Sequence, residues 1–196
     1  MKVANLTKIA LAIALAVPAV ASAESNFVSG ATPLTASAKL NIQVTIPKIL
    51  FLSVGTGTYP NNTATVDTVS ISVPAASVGN GTAVAAAAAV AVRVRGNGGN
   101  VTLNSNTPGP LLNSNVPPDQ LAFTTISATS DNAALGHPAF AASGNGTAVT
   151  LTATNRVFDQ TANWTFSYSN AAVVAEGTYG GTAAKQGQVT YTASLP

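Results

Sequence analysis

The sequence has no cysteine, one histidine and few charged side chains among its 196 residues. Without cysteine, the chain has no disulfide framework and no thiolate for metal binding or nucleophilic catalysis. Charged residues make up 7% of the chain, whereas an ordinary soluble domain has about 25%. The surface must therefore be solvated mainly by Thr, Ser, Asn and Gly, and stability must come from the burial of apolar side chains.

The single histidine, His137, argues against the common forms of catalysis. A nucleophilic Ser or Thr ordinarily needs a base, most often a histidine held by a carboxylate. His137 lies between Gly136 and Pro138 with no acidic residue or second histidine beside it, which is typical of a turn residue. The six acidic residues are scattered, so neither a carboxylate pair for glycoside hydrolysis nor a calcium loop is indicated. The sequence predicts a non-catalytic protein without metal or cofactor.

Residues 1–23 have the pattern of a secretory signal peptide. Lys2 and Lys8 precede or flank the start of an apolar run, and Ala21-Ser22-Ala23 is a small-residue cleavage site. The run is shorter than the roughly 20 apolar residues that span a bilayer, and no later segment is typical of a membrane span. We therefore expect bacterial export, with the mature protein in the periplasm, on the cell surface or outside the cell.

Removal of this segment changes the charge balance. Of the eight Lys and Arg residues, two lie in residues 1–23, so the mature chain has six basic and six acidic residues. Nucleic-acid binding requires a clustered cationic surface that replaces condensed counterions. A formally neutral mature chain gives no support for a nucleic-acid partner.

Short alternating segments separated by turn residues predict an all-β fold after residue 23. The strand candidates are residues 34–46, 48–54, 66–74, 100–105, 121–130, 147–154, 163–169 and 187–195. Residues 48–54 are almost continuously apolar, which is typical of a strand buried on both faces. Asn80-Gly81, Asn97-Gly98 and Asn145-Gly146 lie beside such segments and predict three hairpins. The pattern predicts one antiparallel, immunoglobulin-like β-sandwich over residues 24–196.

Two segments are ambiguous by composition. Residues 83–92 are rich in alanine, the best helix former. However, the valines at positions 84, 90, 92 and 94 fall on one face of an extended segment, and Arg93 and Arg95 fall on the other, so we favour a strand. Any helix is expected there or near residues 131–135. Residues 106–120 contain four prolines, which cannot donate ladder hydrogen bonds, and are therefore expected to form a long loop.

Residues 34–46 have the most regular alternation in the chain. Leu40, Ile42, Val44 and Ile46 fall on one face of an extended segment, and polar residues fall on the other. Such a segment is either the first strand of the sandwich or an arm that adds to an open sheet edge elsewhere. The residues themselves leave both alternatives open.

Trp164, Phe166 and Tyr168 also alternate and share one strand face. Exposed rings would form a platform for sugar rings, whereas buried rings would belong to the core. Burial is favoured, because the chain has few other large side chains and each buried aromatic removes about 150 to 250 Å² from water. An exposed Trp164 and Tyr168 would instead indicate a self-contained secreted module that binds carbohydrate or acts as an adhesin.

The signal peptide, the alternating residues 34–46, the low-charge body and the C-terminal strand GQVTYTASLP together resemble fimbrial subunits of the chaperone-usher type. This resemblance implies an incomplete immunoglobulin-like sandwich that the N-terminal arm of a neighbouring subunit completes. It also implies the partners, which are other copies or related surface subunits and a periplasmic chaperone. The strand-addition face would then be Leu40, Ile42, Val44 and Ile46, and the expected function is that of a structural surface protein.

Overall fold

The computed structural model describes residues 24–196, and the predicted signal peptide lies outside the described residues. The chain divides into two units between residues 46 and 47. Residues 24–46 are all exposed and belong to no strand, whereas residues 47–196 contain all the strands described here. No helix of the described part is long and apolar enough to cross a membrane.

Eleven strands in residues 47–196 form antiparallel sheets, which confirms the all-β prediction. Sheet 1 contains β1 (Leu50–Val54), β2 (Val84–Ala85), β3 (Val90–Gly96), β7 (Ile126–Ser130) and β10 (Phe158–Tyr168). Sheet 2 contains β4 (Val101–Thr107), β8 (Gly144–Asn145), β9 (Val149–Leu151) and β11 (Thr190–Ser194). A separate two-stranded sheet contains β5 (Leu111–Leu112) and β6 (Gln120–Leu121).

The two larger sheets are organised around β10 and β4. β10 pairs with β3, β7 and β2, and its register with β3 aligns Phe158 with Gly96 and Trp164 with Val90. β4 pairs with β11, β8 and β9. Among the described strands, β1 pairs only with β3, and β11 pairs only with β4. Both are therefore edge strands.

One hydrophobic core contains side chains from both larger sheets, which gives a sandwich-like arrangement. Alternate residues of β3 and β4 point into it because successive side chains of a strand point to opposite faces. The most deeply buried core residues include Val94, Val101, Leu103, Leu135, Leu151 and Trp164. The indole Nε1 of Trp164 donates a hydrogen bond of 3.1 Å to the Leu135 carbonyl, so this core side chain has no unsatisfied polar atom.

The prediction of three Asn-Gly hairpins is wrong for the described chain. Asn97-Gly98 lies between β3 and β4, which belong to different sheets. Asn145 is the last residue of β8 and Gly146 follows it before β9, and both strands pair with β4 rather than with each other. Asn80-Gly81 lies between a 3₁₀ turn at Ala75–Ser77 and β2. The dipeptide favours a tight turn, but it does not determine which strands pair.

The two ambiguous segments differ in outcome. Residues 83–92 contain β2 and the start of β3, separated by residues 86–89, so the strand interpretation is confirmed at both ends of the segment. The prediction that residues 106–120 form only a loop is wrong, because β5 pairs with β6. The four prolines lie outside the paired residues, so they remove no hydrogen bond from that short ladder. Residues 133–135 form a 3₁₀ turn.

Residues 66–74 alternate like a strand, but the structure assigns no strand there. Residues 62–73 form no backbone–backbone hydrogen bond with any described residue. Ile71 nevertheless packs against the core, and the Asp67 carboxylate accepts hydrogen bonds from the backbone N–H and the hydroxyl of Thr56. This segment lies against the folded body but lacks a partner strand within the described chain.

Candidate functional site

The neighbouring edge strands β1 and β11 form the main candidate site, which we call the β1/β11 edge. The two strands approach each other without pairing. Leu50 and Leu195 both lie against Gly96, and the Lys48 ammonium donates to the Pro196 carbonyl. Each strand has an open hydrogen-bonding edge, and such an edge is a template for an added strand.

The inward side chains at this edge are less completely buried than those of the central strands. Four of them pack against the core but are only partly buried: Leu52, Val54, Tyr191 and Ala193. The corresponding central residues Val94 and Leu103 are fully buried. The prediction that residues 48–54 are buried on both faces is therefore wrong, because Leu50 is exposed and Phe51, Leu52 and Val54 are only partly buried. The core is incompletely covered at the β1/β11 edge.

His137 lies beneath β11 in a cage of aromatic rings, not in an exposed turn. Its ring centroid is 4.7 Å from those of Phe140 and Trp164, 5.3 Å from that of Phe166 and 5.6 Å from that of Tyr191. Its Nε2 atom is 2.8 Å from the Tyr191 hydroxyl, within hydrogen-bonding distance. Burial lowers the pKa of His137 to about 4 and raises the pKa of the Tyr191 hydroxyl. The pair is therefore neutral at pH 7, and within residues 24–196 no carboxylate accepts a hydrogen bond from His137 in the way that orients the base of a catalytic triad.

We expect the free energy of unfolding to fall as the pH decreases from about 6.5 to about 4. In this window the unfolded chain takes up a proton on His137 that the folded chain does not accept, so stability decreases as the pH falls. At pH 4 the loss should be about 2 to 3 kcal/mol. Urea unfolding at several pH values measures it.

The matched control for this titration is His137→Gln, which keeps a polar side chain but cannot titrate. The variant should lose the pH dependence between 6.5 and 4.5, whatever its own stability at pH 7. Asp119 and Asp131 do not obscure this window, because hydrogen bonds from asparagine side chains or backbone hold the pKa of each below its ordinary value. The burial of a neutral His137 would be contradicted if the unfolding free energy of the unsubstituted protein did not change between pH 7 and 4.5.

The predicted strand-addition face is exposed. Leu40, Ile42, Val44 and Ile46 are between 65% and 83% exposed, and no strand of the structure includes them. A contiguous exposed apolar surface of this kind typically marks an interaction site or an aggregation liability. The structure therefore leaves an alternating apolar segment uncovered and a sheet edge unpaired in the same chain.

The candidate ligand platform has the opposite environment. Trp164 is 0% exposed and Tyr168 is 8% exposed. Phe166, on the same face of β10, is buried with them in or near the core. These rings present no face to a dissolved ligand in this structure, so the platform interpretation of Trp164 and Tyr168 does not hold here.

The described residues provide little for metal chemistry. No group of three or more His, Asp or Glu side chains in residues 24–196 is placed to hold a metal ion.

The pairing of His137 with Tyr191 was not evident from the sequence, because the two residues are 54 positions apart. Only the alternation of the last strand indicated that Tyr191 and Ala193 share one face.

Comparison of the chain with protein-family models, with curated proteins and with solved structures gave no match.

Proposed function

We propose that this protein is a structural subunit of a fimbria-like surface polymer, in which residues 34–46 of one copy add to the β1/β11 edge of the next. The observation that carries the proposal is an open sheet edge, with its inward side chains incompletely covered, in a chain that also has an exposed alternating segment. The protein is exported and non-catalytic in this proposal.

The strand order supports an immunoglobulin-like sandwich that lacks its last strand. In a seven-stranded immunoglobulin domain, strands A, B, E and D form one sheet and strands C, F and G form the other. Here the order β1-β3-β10-β7 matches A-B-E-D, and the pair β4-β11 matches C-F, in the same order along the chain. The position of strand G, beside β11, has no strand in the described chain. That position is at the β1/β11 edge.

Residues 34–46 have the chemistry that the vacant position requires. Their backbone can pair with the free edge of β11, and their alternate apolar side chains can cover the partly buried Tyr191 and Ala193. Lys39, Asn41 and Gln43, on the other face, would then remain in water. The thirteen residues of this segment span about 43 Å when extended, at roughly 3.3 Å per residue. The segment is therefore longer than β11, which has five residues.

Addition between copies produces a filament. The donor segment and the acceptor edge are different surfaces, so the contact is heterologous and repeats head to tail, which gives an open filament when the rotation between copies does not close a ring. An unfilled edge is also a hazard before assembly, because it can pair with unrelated strands. A periplasmic chaperone that covers the edge until assembly is the partner that this proposal requires.

Size-exclusion chromatography of the mature protein tests the proposal. We expect oligomers whose size increases with protein concentration, and we expect an excess of a peptide of residues 34–47 to shorten them by occupying the edge. A peptide with the same composition in scrambled order is the control and should have no effect. A protein that stays monomeric at all concentrations and ignores the peptide would contradict the proposal.

A further inference from the structure

A pocket of about 430 Å³ lies against sheet 1. It lies between a loop that follows β1 and the outward side chains of β3 and β10. Its polar and aromatic lining includes Thr58, Tyr59, Arg93, Asp131, Thr161 and Asn163. Its volume is within the range of about 300 to 1,000 Å³ that is typical of small-molecule sites.

Tyr59 is held in place by contacts on its ring. Its ring packs edge-on against Phe51 at a centroid distance of 5.2 Å, and the Arg95 guanidinium lies 4.7 Å from its centroid. Tyr59 is still 38% exposed. Asp159 pairs with Arg93 at 3.0 Å and with Arg95 at 3.2 Å, which limits the movement of both guanidiniums. The pocket therefore has a positioned aromatic ring with part of its surface in water.

The charges at the pocket balance. Hydrogen bonds of 2.7 and 2.8 Å from the backbone N–H and the side-chain amide of Asn163 lower the pKa of Asp131, which is therefore ionised at pH 7. Of the lining residues, Arg93 carries one positive charge and Asp131 one negative charge, and the neighbouring Arg95 and Asp159 add one charge of each sign. A neutral ligand fits this balance better than an anion or a cation.

Several polar groups at the pocket have no partner among the described residues. The hydroxyls of Thr58, Tyr59 and Thr161 and the Nη1 atom of Arg93 form no hydrogen bond within residues 24–196. The carboxylate of Asp131 accepts two hydrogen bonds from Asn163, although a carboxylate can accept about four. Donors and acceptors therefore surround the exposed ring in a space of limited size.

We propose that this pocket binds a neutral saccharide residue. The apolar C–H face of a pyranose would lie against the part of Tyr59 that the Arg93 and Arg95 guanidiniums leave in water. Its hydroxyls would bond to Thr161, Arg93 and Asp131, as a few placed polar groups orient ligands in other pockets. The proposal does not depend on strand addition, because the pocket is formed by residues of the folded body alone. In a polymer, each subunit would present one such weak site, and the sites would act together.

A matched pair of threonines on β10 tests the proposal. Thr161 and Thr165 both lie on the outward face of this strand, but only Thr161 lines the pocket. Thr→Val removes the hydroxyl while keeping a β-branched side chain that suits a strand. We expect Thr161→Val to weaken saccharide binding by about 3- to 10-fold, and Thr165→Val to leave it unchanged. Tyr59→Ala, which removes the stacking ring, should weaken it by at least about 10-fold.

The probe is an array of immobilised neutral monosaccharides and disaccharides, with sialic acid as the anionic comparison. Mature protein should be retained on at least one neutral saccharide, and thermal unfolding of each variant should match that of the unsubstituted protein. Retention on none, retention on sialic acid alone, or equal retention of folded Tyr59→Ala would overturn the proposal. Size-exclusion chromatography of the same variants should show normal oligomers, which separates a failure of this proposal from a failure of strand addition.

Discussion

Replacing Trp164 with alanine is expected to lower the free energy of unfolding by about 3 to 5 kcal/mol. Trp164 is 0% exposed, and its neighbours His137 and Tyr191 lie at centroid distances of 4.7 and 5.3 Å. Its removal would leave a cavity below β11 and would also remove the hydrogen bond to the Leu135 carbonyl. Denaturant unfolding followed by circular dichroism measures the loss.

The control for this substitution is Trp164→Phe. Phenylalanine keeps most of the buried ring but cannot donate to the Leu135 carbonyl, so the loss should be smaller, about 1 to 3 kcal/mol. A variant Trp164→Ala with unchanged stability would contradict the core position of this ring. It would also reopen the interpretation of Trp164 as part of a ligand surface.

Replacing Ile42 with aspartate is expected to abolish polymer formation while leaving the folded body intact. Ile42 is 83% exposed in the structure, so the substitution removes little packing within residues 24–196. In the proposed polymer the same position is buried in the next copy, where an unpaired carboxylate costs several kcal/mol. The variant should therefore elute as a smaller species on size-exclusion chromatography.

The matched control is Gln43→Asp, which introduces the same charge one residue further on the opposite face. If the alternation of residues 34–46 has the proposed purpose, this variant should form polymers like the unsubstituted protein. Equal loss of polymer in both variants would indicate a general effect of charge in the arm. Unfolding of Ile42→Asp as a monomer would instead indicate that the segment packs within its own domain.

The strands of the central sheets could be predicted from the sequence, because both of their faces and edges are satisfied within one chain. Residues 163–169 and 100–105 were predicted as strands from their alternation, and the structure contains the second half of β10 and most of β4 there, whereas the first half of β10, residues 158–162, was not predicted. Their pairing could not be predicted. The Asn97-Gly98 turn directs the chain from one sheet to the other, and nothing in the dipeptide distinguishes that path from a hairpin.

Residues 34–46 and 66–74 also alternate, residues 34–46 most regularly of all, yet neither segment is a strand in the structure. Alternation reports that a segment suits a half-buried sheet position, but a strand also needs a partner for its backbone. The alternation therefore identified both segments as strand-forming. It left open whether residues 34–46 pair within their own domain, and it did not indicate that residues 66–74 lack a partner strand. The pocket that Tyr59 lines could not be predicted for another reason. It depends on the position of the loop after β1 relative to β3 and β10, and no local sequence pattern indicates that position.

Disulfide cross-linking between copies tests the proposed strand addition most directly. The sequence has no cysteine, so native thiols cannot form unintended disulfides in this experiment. One set of variants has a cysteine in the arm, as Leu40→Cys, Ile42→Cys, Val44→Cys or Ile46→Cys, and the acceptor variant is Ala193→Cys on the inward face of β11. Gln43→Cys, on the opposite face of the arm, is the control.

Each arm variant is mixed with the acceptor variant, oxidised and analysed by non-reducing electrophoresis and by mass spectrometry of the linked peptides. The account predicts a linked pair of chains between Ala193→Cys and at least one inward arm position, with little product from Gln43→Cys, because bridged Cβ atoms must lie within about 3.5 to 4.5 Å. The same two substitutions combined in one chain should give linked ladders. A combined variant that remains a monomer with an internal disulfide would show that the arm completes its own domain, and it would contradict the proposed polymer.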